Sequence, residues 1–446
     1  MWGGLPPLAV TRHDRTVIPF SRLRALTPVA VALSLLMAPG IASAASDPTP
    51  DEARACFDTA LPLSVEEQRL DDTLTPGGAP VGPELVRLAG FDDDVARFTS
   101  RLCGSTSARQ ARQVIDTAGI GLWRTAVKRA QTTQSTWDAY DDRPLYWARL
   151  HLTAALRQWT PRWRLDAAER ARLLESADRS SRGISDIAFP AQPGVRRIVV
   201  TGFDPFQLTG ANVRRGNPAG VSALQLDGKV FSTPQGKVVV QAAVLPVLWG
   251  AFEQGIVESV YGKALQAKAK PDAFVTISQG RPGRFDIERW AARWRGGALD
   301  NDNASSRGPV PDAAGWPQPS AEFIETTLPF QKMLDAGTGP FPVLFNRSFC
   351  EWPVGTPGVG PVSCRADEPT PGAAAASGGG GDYLSNESMY RANRVRLGLG
   401  ATGVLGGHLH TPVLNQPLDP AALTDAPFEA QRRDIANQVV ALVGVV

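Results

Sequence analysis

From residue 195 to the end of the chain, short apolar runs alternate with segments that have the periodicity of helices. The apolar runs cover residues 197–200, 238–247, 273–278, 343–345 and 404–409. Each run is long enough for a buried strand, and helix-like segments follow at 249–267 and 429–443. Strands that alternate with helices indicate an α/β domain with a mixed, mainly parallel sheet between two helical layers. We therefore predict a three-layer α/β/α domain over residues 195–446.

The preceding part of the chain has a different pattern. Residues 45–190 repeat apolar residues at helical spacing, as in Leu85, Val86 and Leu88, and contain no chemical motif. Residues 180–194 are rich in Ser, Gly and Pro, which is typical of a linker. The sequence thus predicts a helical N-terminal domain over residues 45–190.

The first 44 residues have the pattern of an export signal. Four arginines precede the apolar run 25–37, and Ala42-Ser43-Ala44 follows as a cleavage site. This order predicts a signal peptide over residues 1–44 and a secreted or periplasmic protein. A buried helix is the alternative interpretation of the same run. No second apolar stretch long enough for a membrane span follows.

The cysteines and the charges narrow the class of protein. Four cysteines in an exported chain predict two disulfides, and sequence order favours Cys56–Cys103 and Cys350–Cys364. Free buried thiols are the alternative. The chain has 46 Lys and Arg against 44 Asp and Glu, with no basic stripe, so we do not expect a nucleic-acid partner.

Short motifs lie at or near the ends of the predicted strands, and open α/β sheets bind their ligands beyond the carboxyl ends of their strands. They are TGFDPF at 201–206, NP at 217–218, VLPV at 244–247, PD at 271–272, GRFDIER at 283–289, DND at 300–302, TLP at 327–329 and HLHTP at 408–412. This ordered series resembles the pyroglutamyl peptidase I (pyrrolidone-carboxylate peptidase) family over residues 195–446. The resemblance implies a phosphorylase/hydrolase-like fold and hydrolysis of an N-terminal pyroglutamate by a thiol, an imidazole and a carboxylate.

The resemblance also implies roles for individual residues. Glu288 corresponds to the orienting carboxylate and His410 to the base, while Phe203 and Phe206 correspond to an aromatic clamp on the ring. Arg284 is expected beside the site, among the substrate-binding residues.

The nucleophile position departs from the family pattern. Matching Tyr390-Arg391-Ala392-Asn393 to the nucleophile segment places Ala392 where the family has its thiol, and a methyl group cannot attack. Cys350, Ser385 and Ser388 are possible substitutes, although Cys350 would be consumed by a disulfide.

Three functional hypotheses follow. The chain hydrolyses pyroglutamyl peptides, or it is an inactive relative that binds pyroglutamyl or related peptide ends, or the helical domain recruits partners. Neither a cofactor nor a metal is predicted: His408 stands two residues before His410, but no third ligand has a suitable spacing. His151 is expected to be a packing residue. The Ala- and Gly-rich residues 369–381 are expected to form a flexible surface loop within an insertion at 350–381.

Overall fold

A computed structural model of the chain describes residues 56–132, 137–233 and 236–446. Within these residues a helical region precedes an α/β region that contains a seven-stranded sheet. This arrangement confirms the predicted α/β fold with a helical N-terminal region. The predicted signal peptide lies outside the described residues.

The helical region begins with a short helix that has a complete capping box. Ser64 accepts a hydrogen bond from the Glu67 backbone, and the Glu67 side chain accepts one from the Ser64 backbone. The amphipathic helices that follow bury three tryptophans completely, Trp123, Trp147 and Trp159. The helices of this region are α1 (Val65–Gln68), α2 (Val81–Leu88), α3 (Asp92–Cys103), α4 (Ala108–Ala130), α5 (Arg143–Gln158) and α6 (Ala167–Ser180).

The α/β region contains fourteen strands among the described residues. They are β1 (Val195–Phe203), β2 (Val230–Thr233), β3 (Gly236–Leu245), β4 (Ala273–Gln279), β5 (Phe285–Glu288), β6 (Trp290–Ala292), β7 (Trp294–Leu299), β8 (Ser305–Pro309), β9 (Phe323–Glu325), β10 (Val343–Asn346), β11 (Phe349–Trp352), β12 (Ser363–Arg365), β13 (Ala374–Ser377) and β14 (Leu405–Thr411).

The main sheet has the order β10-β5-β14-β4-β1-β3-β2. Its central strands β14, β4, β1 and β3 pair in parallel, whereas β5 and β2 pair antiparallel with β14 and β3. The carboxyl ends of the central strands therefore meet at one edge, where the candidate site lies. Two-stranded pairs β6–β9 and β7–β8 and the three-stranded sheet β12-β11-β13 complete the region.

Helices cover both faces of the main sheet because successive strand residues point to opposite sides. Ile198 and Val200 of β1 belong to one apolar core, and Val199 between them belongs to another. Helices of the α/β region are α7 (Pro218–Leu226), α8 (Trp249–Glu253), α9 (Ile256–Gln266), α10 (Phe330–Asp335), α11 (Leu384–Gly398) and α12 (Ala426–Gly444). Residues of α7 and α12 lie in the first core, and residues of α9 and α11 lie in the second.

The structure corrects the expectation for residues 369–381. Low sequence complexity predicts a flexible surface loop, yet Ala374–Ser377 form strand β13 and Ala373, Ala375 and Ala376 are buried. Small side chains allow this segment to pack closely beneath Trp294 and Trp352, which the sequence pattern alone does not reveal. Strands β5 and β2 of the main sheet are also absent from the sequence prediction, because neither contains a continuous apolar run of the kind found in β10.

All four cysteines are paired, as Cys56–Cys103 and Cys350–Cys364. The predicted pairing is thus confirmed, and the alternative of free thiols is wrong. In the described part of the chain, every helix is too short or too polar to cross a membrane.

Candidate functional site

A histidine and a glutamate form the centre of the site at the edge between β5 and β14. Nδ1 of His410 lies 2.7 Å from Oε1 of Glu288, and both side chains are almost completely buried. Asn346 at the end of β10 donates its amide to Oε2 of Glu288 at 2.7 Å. Both carboxylate oxygens are therefore engaged, which fixes the orientation of the imidazole and leaves its Nε2 for other chemistry.

A glycine run lies against these two side chains. A Cβ on Gly379 would stand 2.1 Å from Oε2 of Glu288, and a Cβ on Gly380 would stand 2.8 Å from Cε1 of His410. The carbonyl of Gly379 also accepts the Asn346 amide at 3.0 Å. Only glycine permits the backbone to approach the Glu288 and His410 side chains this closely.

Ser385 stands at the start of helix α11, directly after the glycine run. Its Oγ donates to the carbonyl of Gly380 at 3.2 Å. Tyr383, the residue before the helix, provides no side-chain cap, so the first backbone N–H groups have no side-chain acceptor at this end. Asn386 anchors the helix start by two hydrogen bonds to the backbone of Ala292, at 2.8 and 2.9 Å. The start of α11 therefore offers a hydroxyl and backbone donors in one fixed place.

Ser385 and His410 line the same open cleft, which has a volume of about 640 Å³. Ser385 also lines a smaller pocket of about 30 Å³ between Phe203 and Phe206, with Val247 and Leu384 in its wall. A pocket of this size accommodates a group of only a few atoms. Ser385 thus lies at the junction between a small apolar pocket and a large polar cleft.

A second histidine, His408, supports His410 from the same strand. Its two ring nitrogens lie 2.7 Å from Oγ1 of Thr276 and 2.8 Å from Oγ of Ser278. The rings of His408 and His410 meet edge to face at 4.4 Å. Burial, together with the neighbouring His410, lowers the pKa of His408 well below its usual value. His408 is therefore a neutral packing residue.

The helical region holds the loop that carries the two phenylalanines. Arg149 of α5 donates to both carboxylate oxygens of Asp204, at 2.8 and 2.9 Å, and Arg182 donates to one of them at 2.5 Å. All three side chains are only 2 % exposed. Burial alone would raise the pKa of Asp204, but the two guanidinium groups outweigh it and hold that pKa below the usual value.

A buried carboxyl group extends this contact. Glu66 accepts hydrogen bonds from the Tyr146 hydroxyl at 2.9 Å and from the Asn301 amide at 2.8 Å. The same amide donates to the carbonyl of Pro205 at 2.9 Å. Burial and the nearby Asp204 carboxylate raise the pKa of Glu66 to about 7. Asp204 of the site loop thus bonds directly to the helical region, and Pro205 connects to that region through Asn301.

The structure brings together four of the residues that the sequence singles out. His410 and Phe206 line the cleft, and Phe203 borders only the small pocket. Glu288 lines neither cavity and belongs to the site through its contact with Nδ1 of His410. Arg284 does not reach the cleft: it is partly exposed and pairs with Asp286 at 3.1 Å.

Ala392 is not at the site. It is completely buried within α11 and packs in the core beneath the sheet, so the expectation that it occupies the nucleophile position is corrected. It lies seven residues, about two helical turns, after Ser385 on the same helix.

The other substitutes for a nucleophile are also placed elsewhere. Cys350 is bound in a disulfide, and Ser388 is buried with its Oγ bonded to the Ser385 carbonyl at 2.7 Å. His151 lies in α5, where burial lowers its pKa.

Sequence reasoning missed several residues of the site. Asn346, Arg215 and Arg281 carry no local signal, because the fold alone brings them to the cleft. A run of glycines before a helix start was the available signal for residues 379–381, since such runs allow close backbone approach.

Comparison with known proteins identifies two matching family models. Residues 44–178 match the PA0049 N-terminal domain, and residues 197–319 and 353–415 match the PA0049 C-terminal domain. The chain is also 31% identical over 529 aligned residues to an uncharacterized protein, PA0049, of Pseudomonas aeruginosa, covering 93% of this chain and 96% of the relative. These matches contradict the resemblance to the pyroglutamyl peptidase I family, which neither the models nor this relative indicates.

Proposed function

This chain belongs to the PA0049 family, and from the geometry of its cleft we propose that it is a hydrolase of carboxylic amides or esters, with Ser385 as nucleophile. The observation that carries the proposal is the 2.7 Å contact between His410 and Glu288, in a cleft that Ser385 also lines. A hydroxyl, an imidazole and an orienting carboxylate are the three groups that acyl transfer by a serine requires.

The proposed reaction proceeds through an acyl-enzyme. Ser385 Oγ leaves the Gly380 carbonyl, turns to His410 and attacks the acyl carbon, while His410 Nε2 takes the hydroxyl proton. Backbone N–H groups at the start of α11 stabilise the negative charge on the carbonyl oxygen. His410 then gives its proton to the departing amine or alcohol. Water, deprotonated by His410, cleaves the acyl-enzyme and regenerates the Ser385 hydroxyl.

The two cavities suggest which part of a substrate binds where. The 30 Å³ pocket has an aromatic and aliphatic wall, which suits a short uncharged acyl group. The larger cleft has polar walls and accommodates the leaving group. We extend the proposal to the fold class and to the location of the protein. A site at the carboxyl edge of a mainly parallel sheet supports a phosphorylase/hydrolase-like fold. The two disulfides support export to the periplasm or medium.

The test combines turnover with covalent labelling. We expect the purified protein to hydrolyse p-nitrophenyl acetate or p-nitrophenyl butyrate, and a pyroglutamyl anilide in the same panel tests whether an N-terminal pyroglutamyl group is also a substrate. Ser385→Ala and His410→Gln should each reduce turnover by several orders of magnitude. Glu288→Gln should reduce it by about 10⁴-fold, because the ring loses its orienting charge.

An organophosphonate that reacts with activated serines should label Ser385, as located by peptide mass spectrometry. Ser232→Ala is the matched control, because Ser232 is exposed on β2 at the opposite edge of the sheet. Labelling that persists at full rate in His410→Gln, or turnover that survives Ser385→Ala, contradicts the proposed mechanism.

A second candidate function is binding without hydrolysis. It is favoured by the hydrogen bond from Ser385 Oγ to the Gly380 carbonyl, which directs the hydroxyl proton to the backbone. Under this alternative the cleft binds carboxylic-acid derivatives or peptide ends, and wild-type protein neither turns over the esters nor reacts with the phosphonate.

A further inference from the structure

The charges that line the cleft are unbalanced. Two arginines, Arg215 and Arg281, line it, and none of the described lining residues is acidic. Arg281 is already engaged, because it pairs with Asp286 at 2.9 Å and lies 3.9 Å from Glu288. Arg215 is different, and its surroundings indicate a ligand.

Arg215 has a single side-chain hydrogen bond. Its Nη1 donates to Oε1 of Gln207 at 2.7 Å, and no carboxylate among residues 56–132, 137–233 and 236–446 forms an ion pair with it. A guanidinium has five N–H donors in a planar fork, so most of its donors stay available. Burial lowers the pKa of Arg215, which means that its charge is partly desolvated without compensation.

Gln207, which holds Arg215, has an unusual backbone. Its φ of 57° lies in the left-handed region that non-glycine residues rarely adopt. Such backbone strain persists where the surrounding structure fixes it, and it is concentrated at ligand-binding sites. Gln207 directly follows Phe206, so one turn supplies both a wall of the small pocket and the acceptor that orients the arginine.

We propose that Arg215 binds a carboxylate on the leaving-group side of the substrate, so that the cleft selects N-acylated amino acids or short peptides with a free carboxylate. We place this carboxylate on the leaving group because Arg215 lines the large cleft and not the small pocket that suits the acyl group. This inference rests on the proposed function, since it names the substrate class of the same site.

The kinetic test compares two substrates that differ in one charge. N-acetylglycine releases glycine, which carries a carboxylate, and N-acetylglycinamide releases glycinamide, which is neutral at that end. Release of the amine is followed with a fluorogenic reagent. We expect kcat/KM to favour the acid by roughly 10- to 100-fold, as is typical of a hydrogen bond to a charged group. Equal values, or a preference for the amide, overturn the inference while the proposed function stands.

Variants assign the preference to the arginine. Arg215→Gln should reduce the preference to near one, and Arg215→Lys should retain only part of it, because the fork is lost. Gln207→Gly should weaken the preference, because it removes the acceptor for Nη1. Glycine adopts the left-handed backbone conformation of this position without strain. Arg433→Gln is the matched control: Arg433 is exposed on α12, does not line the cleft, and its removal should leave the preference unchanged. A preference that persists in Arg215→Gln overturns the inference.

A binding measurement keeps the inference separate from catalysis. In the Ser385→Ala protein, calorimetry should detect tighter binding of N-acetylglycine than of N-acetylglycinamide, and the added Arg215→Gln substitution should abolish the difference. This result supports the inference even if the wild type hydrolyses neither compound, in which case only the proposed function fails. Equal affinities, or no detectable binding of either compound, overturn it.

Discussion

Replacing Asp204 by Asn should both destabilise the protein and disturb its cleft. Among the residues that the structure describes, Asp204 is the only carboxylate that accepts hydrogen bonds from the buried Arg149, and it also accepts one from Arg182. An asparagine keeps the volume but removes the charge, so two buried guanidinium groups lose their shared counter-ion. Breaking a buried pair by removing one partner costs about 3 to 5 kcal/mol.

The lower part of that range is the better expectation, because Arg182 keeps Asp178 as a second partner at 2.8 Å. With an unfolding entropy of about 2.1 cal/mol/K per residue over a chain of this length, a loss of about 3 kcal/mol lowers Tm by about 3 to 4 °C. The assay is thermal unfolding followed by circular dichroism, combined with steady-state hydrolysis at a temperature where both proteins are folded.

The control is Asp186→Asn, which removes an ion pair with Arg124 on the surface. Arg124 is 58% exposed, and such pairs contribute only about 0 to 1 kcal/mol. A double-mutant cycle with Arg149→Met should reveal coupling, so that the combined loss is smaller than the two single losses added. We also expect KM to rise in Asp204→Asn, because the loop between Phe203 and Phe206 loses its anchor. A Tm within 1 °C of wild type would refute this account of the buried cluster.

Two further predictions concern pH and backbone packing. Because the pKa of Glu66 is about 7 in the folded protein against 4.5 ordinarily, its contribution to stability is present at low pH and is lost as pH rises between those values. The stability of Glu66→Gln, compared with that of wild type by Tm, should therefore increase between pH 5 and pH 8, by roughly 3 kcal/mol. A difference in Tm that does not vary with pH contradicts a raised pKa for Glu66. Gly380→Ala should reduce kcat by displacing His410, because its Cβ would lie 2.8 Å from the ring, whereas Gly403→Ala, with no atom within 4 Å, should be neutral in the same hydrolysis assay. Equal kcat values for the two alanine variants would show that the close approach of Gly380 is unimportant.

The sequence predicted the elements whose pattern is local. Alternating apolar runs are sufficient to predict an α/β fold, and pairing the cysteines in sequence order gives Cys56–Cys103 and Cys350–Cys364, as the structure has them. The motifs near the strand ends directed attention to Glu288 and His410, which the structure places 2.7 Å apart. Each of these inferences depends on residues that are neighbours in sequence or on the shared edge of parallel strands.

What the sequence did not reveal depends on contacts between distant segments. The glycine run 379–381 has low complexity, and only its packing against Glu288 and His410 distinguishes it from a solvent loop. Ser385 and Ala392 lie on the same helix, and which of them faces the cleft depends on how α11 begins. Family identity was also misjudged, since short motifs at strand ends recur wherever a similar edge is built.

The contacts between the two regions explain why the helical region has no chemical motif of its own. Its residues act on the α/β region through buried polar atoms: Arg149 fixes Asp204, and both carboxylate oxygens of Asp142 accept the backbone N–H of Asn217, at 3.2 and 3.0 Å. Asn217 in turn donates its amide to the Asp204 carbonyl at 2.9 Å. Buried charges and donors of this kind require their partners, since each would otherwise be unpaired away from water. The helical region is therefore part of the scaffold that positions the wall of the cleft, and the two matched family domains work as one structural unit.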